Sequence, residues 1–273
     1  MNPALLTIQN LQISFPRPKH KQLVPVVKNL SLSMESGQIL GLVGESGAGK
    51  TLTGLSIGKL LPPTARWNAD TYELYGKSLK NLTEEEMCDL RGDQVAYIFQ
   101  DPAAYLNPVL TIEEQVCEVL IAHRRMSLVD ARHRAVQMLS AVQLPDPPEL
   151  LKSYPHQLSG GMQQRILIAM AILLEPALLI ADEPTSALDS TIAFGILKLL
   201  KGLNIKMRMA VLLISHDLNQ VASIADSIAV MQAGQIVEIA KTQQILQAPK
   251  HPYTKLLLAA NPKIGAGRWL PQS

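Results

Sequence analysis

Cysteine is scarce in this chain: Cys88 and Cys117 are the only two among 273 residues. Two thiols make neither a disulfide framework nor a metal set, and the count suits a reducing cytosol. Excess charge is also missing. The net charge of +2 is too small to suggest a nucleic-acid binder, so no nucleic-acid partner is expected. Long apolar runs are absent too. The most apolar region, Ile166 to Ala181, is cut by Glu175 and Pro176 into pieces too short to span a bilayer. Any membrane association is therefore expected to come through a partner. Met1 to Gln9 lacks the basic start and sustained apolar core of a secretory signal. No internal repeat or low-complexity tract is visible.

What remains is material for a large core. Hydrophobic residues make up 47% of the chain and charged residues 18%, which argues against global disorder. The length fits one large domain, or a core with one or two lobes.

The stretch QILGLVGESGAGKTLTG, residues 38–54, reads as a buried strand, a glycine-rich turn and the start of a helix. Gly44, Glu45, Ser46, Gly47, Ala48, Gly49, Lys50 and Thr51 match G-x-x-x-x-G-K-[ST], the phosphate-binding loop, with Leu52 following. A β-phosphate sits in a ring of backbone N–H groups, so side chains must be absent where the loop curls most tightly. A helix starting near Lys50 adds its positive end. Lys50 is expected to reach the β- and γ-phosphates, and the Thr51 hydroxyl to ligate Mg²⁺. A glycine-rich turn with an idle lysine is the bland alternative; the strand before and the helix after argue against it.

Strands alternate with helices along the rest of the chain. Strands are expected over 4–14, 25–34, 71–75, 95–99, 177–181, 210–214, 227–231 and 235–239. Thr83 to Glu86 is a capping box with Leu82 and Met87 as a hydrophobic staple, opening a helix that runs to Leu90. Pro62-Pro63 is expected to end the first helix. Residues 101–150 change character, with helical patterns over Ile112 to Arg124 and Leu128 to Val142, and read as an inserted helical lobe. The basic residues from His123 to Arg134 read as a solvated helix face. Helices follow over 159–174, 190–203 and 218–224. This alternation indicates a mainly parallel α/β sheet covered on both faces. Phe15 fits either strand packing or stacking on a purine.

Polar residues fall at the carboxyl ends of the parallel strands, where ligands bind in such folds. Gln100, the pair Asp182-Glu183, and His216 each occupy such an end. Asp182 follows LLIA, as a Mg²⁺-linked carboxylate should, and Glu183 is placed to orient or deprotonate an attacking water. A second glycine-rich helix start, Ser159-Gly160-Gly161 in LSGGMQQR, makes another anion site. One triphosphate does not need two such sites. The redundancy points to two chains, each offering this segment to the other's nucleotide, whereas in isolation it would be a helix cap with a flexible lead-in.

Together these motifs make the chain resemble the nucleotide-binding subunit of an ABC transporter. GESGAGKT stands as its Walker A, Gln100 as its Q-loop, LSGGMQQR as its signature, LLIADE as its Walker B, SALD (186–189) as its D-loop and His216 as its switch histidine. The resemblance covers residues 5 to about 240 and implies a fold: a phosphate-loop NTPase core with an N-terminal antiparallel β subdomain (1–37 and 62–99), a helical subdomain (101–158) and a C-terminal extension (240–273). YIFQDPAAYLNP, SYPHQLSGGMQQR, IADEPTSALD and APKHPYTKLLLAA are together similar to the peptide and nickel importers of bacteria. No cysteine follows Cys117, unlike the cysteine-bearing tails of many peptide-importing relatives, and this makes the chain similar to the shorter nickel-type subunits.

The resemblance implies an ATPase peripheral to the cytoplasmic face of the bacterial inner membrane. It would power import of nickel or a metal chelate, or of di- or oligopeptides. Its expected partners are a second cassette (a copy or a paralogue), transmembrane permease subunits and, indirectly, an extracytoplasmic solute-binding protein. Two cassettes would close around two Mg·ATP. Thr51 and Gln100 would share the metal with Asp182 behind, Glu183 would polarise water, His216 would contact the γ-phosphate, and Ser159 and Gly161 would close on the partner's nucleotide. Asp189 would link the two sites, and Gln100 would report nucleotide state to the permease. The alternatives are a soluble ABC ATPase of DNA repair or translation, and a plain phosphate-loop kinase. Repair types need a long coiled-coil insertion and translation types two cassettes per chain; a kinase would leave LSGGMQQR and His216 without a purpose.

Overall fold

The computed structural model describes residues 4–17 and 22–260. In chain order the elements are β1 (Ala4–Pro16), β2 (Leu23–Glu35), β3 (Ile39–Val43), α1 (Lys50–Ile57), β4 (Arg66–Asn68), β5 (Thr71–Leu74), β6 (Lys77–Ser78), α2 (Glu84–Leu90) and β7 (Val95–Ile98). The helices α3 (Pro102–Tyr105), α4 (Ile112–Arg124), α5 (Leu128–Ala141), α6 (Pro147–Leu150) and α7 (Gly160–Ile172) follow. The chain then returns through β8 (Leu178–Asp182), α8 (Ser190–Met207), β9 (Ala210–Ser215), α9 (Leu218–Ala222), β10 (Ser227–Gln232), β11 (Gln235–Lys241), α10 (Thr242–Gln247) and α11 (Pro252–Ala259).

Two sheets organise these elements. The larger runs β11-β10-β3-β9-β8-β7, parallel throughout except for β11. The smaller is antiparallel, in the order β2-β1-β5-β6, with β4 also paired to β1. The alternation of side chains explains why strands of the larger sheet read as unbroken apolar runs. In β9, Val211 and Leu213 face a core shared with α4, α5, α7 and α8, while Ala210, Leu212 and Ile214 face a second core shared with the antiparallel sheet and Ile57 of α1. A strand buried on both faces has no position to give to a polar residue. Burying a leucine or isoleucine side chain in this way contributes about 1.5–3 kcal/mol.

The helical stretch between β7 and β8 forms by its caps. Thr111 and Glu114 close a capping box on α4, and Ser127 caps α5. The basic run from His123 to Arg134 is tied down by ion pairs of Arg124 with Asp93, Arg132 with Glu113, and Arg134 with Glu175. The expected box at Thr83 and Glu86 is present on α2.

Several boundaries differ from the sequence reading. α1 ends at Ile57, not at Pro62-Pro63. Gly58 packs under the Tyr97 ring, and Lys59 turns left-handed at φ 53°, so the chain has already left the helix before the prolines. α8 continues past 203 to Met207 and stops at left-handed Arg208. β4, β6, α3, α6, α10 and α11 have no counterpart in the sequence reading; each is short.

Candidate nucleotide-binding site

The register of the large sheet levels the site. Val43 pairs with Ser215 across β3 and β9, and Asp182 with Ile214 across β8 and β9. The three strands are adjacent and parallel, so Gly44, Glu183 and His216 all emerge from one edge. Gln100 lies two residues beyond β7, whose last residue, Ile98, pairs with Ala181. Val26, Ser46, Gly47, Gly49, Lys50, Thr51, Leu52, Gln100, Glu183 and His216 line one cleft there.

The loop's glycines have two separate physical reasons. At Gly44 a Cβ would come within 2.1 Å of the Met231 carbonyl oxygen, so no side chain fits. Gly49 stands at φ 102° as the residue before α1, a conformation that L side chains rarely adopt. With Gly49 turned this way, the first N–H groups of α1 open toward the cleft and lack helical partners.

Lys50 is 7% exposed. Its ammonium donates to the carbonyls of Gly44 at 2.9 Å and Glu45 at 3.0 Å. Burial lowers its pKa, while Glu183, Asp182 and Glu45 push it back up. The lysine is thus folded back on its own loop, with its charge at the mouth of an anion-shaped cradle.

Asp182 closes β8. Burial raises its carboxyl above the ordinary aspartate range; the Thr51 hydroxyl beside it works the other way, Glu183 adds to the rise and Lys50 opposes it. Its Oδ1 is buried without a hydrogen-bond partner. A buried, unpartnered carboxylate oxygen is costly. Here it lies next to a hydroxyl, and such a pair of hard oxygens suits Mg²⁺. No group of three or more His, Cys, Asp and Glu able to hold a metal occurs among the described residues.

Glu183 occupies left-handed backbone at φ 48°, an uncommon place for a glutamate. Its N–H donates to the Ile214 carbonyl at 2.9 Å, which holds it there. Its Oε1 accepts from the His216 backbone N–H at 2.9 Å and meets His216 Nδ1 at 2.8 Å. The glutamate side chain is 14% exposed and that of the histidine 61%. The pair therefore places a largely enclosed carboxylate behind a solvent-facing imidazole.

Other expected residues lie apart from this cleft. Ser159 caps α7, its Oγ accepting from the Met162 N–H at 3.4 Å. A Cβ on Gly161 would come within 2.9 Å of Ile192 Cγ2, and one on Gly160 within 3.6 Å of Leu188 Cδ2. Gly161 thus lets α7 approach the start of α8, while a side chain at Gly160 would meet only ordinary contact. Asp189 caps α8, accepting from the N–H groups of Thr191 and Ile192, both at 3.0 Å. None of these residues is among those lining the cleft around Lys50. Phe15 is not among them either; it pairs with Val24 in the antiparallel sheet and packs on the core beneath that sheet. Sequence reading missed Val26, which lines the cleft from β2, and Tyr253, whose hydroxyl accepts from the Glu45 N–H at 3.1 Å.

Residues 27–186 match the family described as ABC transporter, and residues 237–272 match the oligopeptide/dipeptide transporter C-terminal region. A dipeptide transport ATP-binding protein, DppD of Bacillus subtilis, is 47% identical over 95% of this chain and 77% of its own length. An oligopeptide transport ATP-binding protein of the same organism, AppD, is 45% identical over 95% of this chain and 79% of its own. A glutathione import ATP-binding protein, GsiA of Escherichia coli, is 44% identical over 97% of this chain, which spans 43% of that longer protein. Among solved structures, the dimeric ATP-binding cassette MJ0796, in a post-hydrolysis state bound to ADP and Pi, superposes with a TM-score of 0.73 at 30% identity, covering 87% of this chain and 98% of that one. The chain belongs to the ABC transporter family, as an ATP-binding and ATP-hydrolysing cassette. The three relatives named carry peptide and glutathione names, which gives the nickel alternative no support.

Proposed function

We propose that this chain powers uptake of di- or oligopeptides, as one of two cassettes seated on permease subunits at the cytoplasmic face of a bacterial membrane. No helix among the described residues is long and apolar enough to cross a membrane, so the permease supplies the span. The solute class rests on the peptide-transporter region at 237–272 and on the names of the relatives. A solute-binding protein would act on the far side of the membrane.

One observation carries the mechanism. A phosphate loop, a half-buried carboxylate with one buried oxygen, and a Glu-His pair meet at the edge of three adjacent parallel strands. On ATP binding, the Lys50 ammonium would leave the Gly44 and Glu45 carbonyls for phosphate oxygens, exchanging neutral acceptors for charged ones. Thr51, Gln100 and Asp182 would hold Mg²⁺, which when bound neutralises charge on the phosphates. Glu183 would accept a hydrogen bond from the attacking water and raise its nucleophilicity. His216 would turn its exposed ring to the γ-phosphate. Ser159 and Gly161 would meet the partner's nucleotide, and Asp189 would link the two sites. Gln100, leading into α3, would pass the nucleotide state to the permease.

The test is Glu183→Gln, which keeps shape and removes the basic oxygen. ATP binding should persist, turnover should fall at least about 100-fold, and an ATP-bound dimer should accumulate as a doubled mass in light scattering. Hydrolysis at the wild-type rate would remove Glu183 from this role, and loss of ATP binding would make it structural.

A further inference from the structure

The segment after β11 takes no part in the phosphate chemistry described above, yet it is built onto the phosphate loop. The Glu238 carboxylate of β11 accepts from the N–H groups of Lys250 and His251, both at 2.9 Å. His251 then caps α11, its Nδ1 accepting from the Tyr253 N–H at 3.2 Å. Thr254 is fully buried, and Tyr253, Leu257 and Leu258 pack on the larger core. Docked this way, α11 brings the Tyr253 hydroxyl to the Glu45 N–H, 208 residues away in sequence.

The bond falls on a particular peptide unit, the one joining Gly44 to Glu45. Its carbonyl oxygen accepts from the Lys50 ammonium at 2.9 Å, and its N–H donates to Tyr253 at 3.1 Å. A trans peptide is planar, with its N–H and C=O pointing in opposite directions. One rigid plane is therefore held at both ends, by Lys50 and by Tyr253. Rotating it would withdraw the carbonyl from the lysine and re-aim the entry to the glycine loop.

We propose that Tyr253 is a positioning residue for nucleotide binding: from the C-terminal helix it fixes the Gly44–Glu45 peptide and, through it, the resting place of Lys50. This rests on the nucleotide-site reading above. It gives the His251-Pro252-Tyr253-Thr254 segment a task inside the ATP site, distinct from any contact with permease or solute.

Tyr253→Phe removes the hydroxyl and keeps the ring. In the full-length chain, the Glu45 amide should exchange with solvent about tenfold faster by NMR, and the dissociation constant for Mg·ATP should rise about fivefold, the fold-change expected for one neutral hydrogen bond. The turnover number at saturating ATP should stay within about twofold, because Tyr253 acts on the loop backbone and is not among the residues lining the cleft with Glu183 and His216. Glu238→Gln, which weakens the clamp ahead of α11, should move both readouts the same way by less, and it carries the test if Tyr253→Phe does not fold. Unchanged Glu45 exchange, or unchanged Mg·ATP affinity, overturns the proposal; so does a fall in turnover at unchanged affinity. Failure of the wild-type chain to bind Mg·ATP, or wild-type affinity in Lys50→Ala, would instead sink the nucleotide-site reading itself.

Discussion

Single residues in this site are fixed by contacts that leave little room for change. Gly44 is the sharpest case, since an added Cβ meets a backbone oxygen rather than the movable end of a side chain. Gly44→Ala should therefore displace either β10 at Met231 or the loop itself. A loss of about 2 kcal/mol or more in unfolding free energy is expected, in the range of overpacking and strain. Nucleotide affinity should fall as well, because the displaced loop no longer presents its N–H groups. Chemical denaturation with and without Mg·ATP reads both quantities, and wild-type stability in the variant would show that the loop gives way at no cost. By contrast, Gly47 meets nothing within 4 Å of an added Cβ; its φ of 82° is its only constraint.

At the scale of elements, the last helix, α11, is anchored through one carboxylate. Burial opposes ionisation of Glu238, yet the Thr254 hydroxyl, the N–H groups of Lys250 and His251, and the His251 ring outweigh it, so its pKa lies below the usual glutamate value. A carboxyl whose folded pKa is depressed stabilises the fold above its unfolded value, and that contribution is lost as pH falls through the folded pKa. Glu238→Gln should thus melt below the wild type at pH 7. The gap should narrow once pH falls below the unfolded glutamate range and close only below the still lower folded pKa, where Glu238 is protonated in both states. A gap that stays constant down to pH 3 would mean that the charge does not hold the segment.

Elements also show what was legible in the sequence. Strands with both faces buried announced themselves as apolar runs, and the capping box at Thr83 fixed its helix start, whereas the box at Thr111 appeared only in the structure. β4 and α11 gave no such signal. β4 has three residues and borrows its pairing from β1, and α11 is set by Glu238 and by the core beneath it. The motif residues of the site were likewise legible, because a phosphate loop and strand-end carboxylates are local patterns. Their mutual ties were not: Glu183 holding His216, and Tyr253 holding Glu45, join residues 33 and 208 positions apart.

For the whole molecule, the unresolved economy is that of two glycine-rich helix starts on one chain. α7 has 13 residues and is roughly 20 Å long at 1.5 Å per residue. Its start packs beside Leu188 and Ile192, away from the residues lining the cleft at Lys50. The MJ0796 cassette, similar over 87% of this chain, is dimeric in its solved structure. If Ser159 serves the neighbouring subunit, Ser159→Arg should bind ATP as the isolated wild-type chain does, yet fail to dimerise and hydrolyse. Lys50→Ala should fail for the opposite reason, at its own loop. Mixed in equal amounts, the two variants can close on ATP only with each other, and each such dimer has one composite site with two intact halves and one with both defects. Activity should return to at most about half of the wild-type rate if each intact site works independently. If the chain pairs with a paralogue instead, the same defects are divided between the two cassettes on the permease, and the intact composite site should give about half the rate. Loss of ATP affinity in isolated Ser159→Arg would place the signature at its own nucleotide and end the two-chain reading. No recovery in a verified mixed dimer would count against composite sites that work independently of each other.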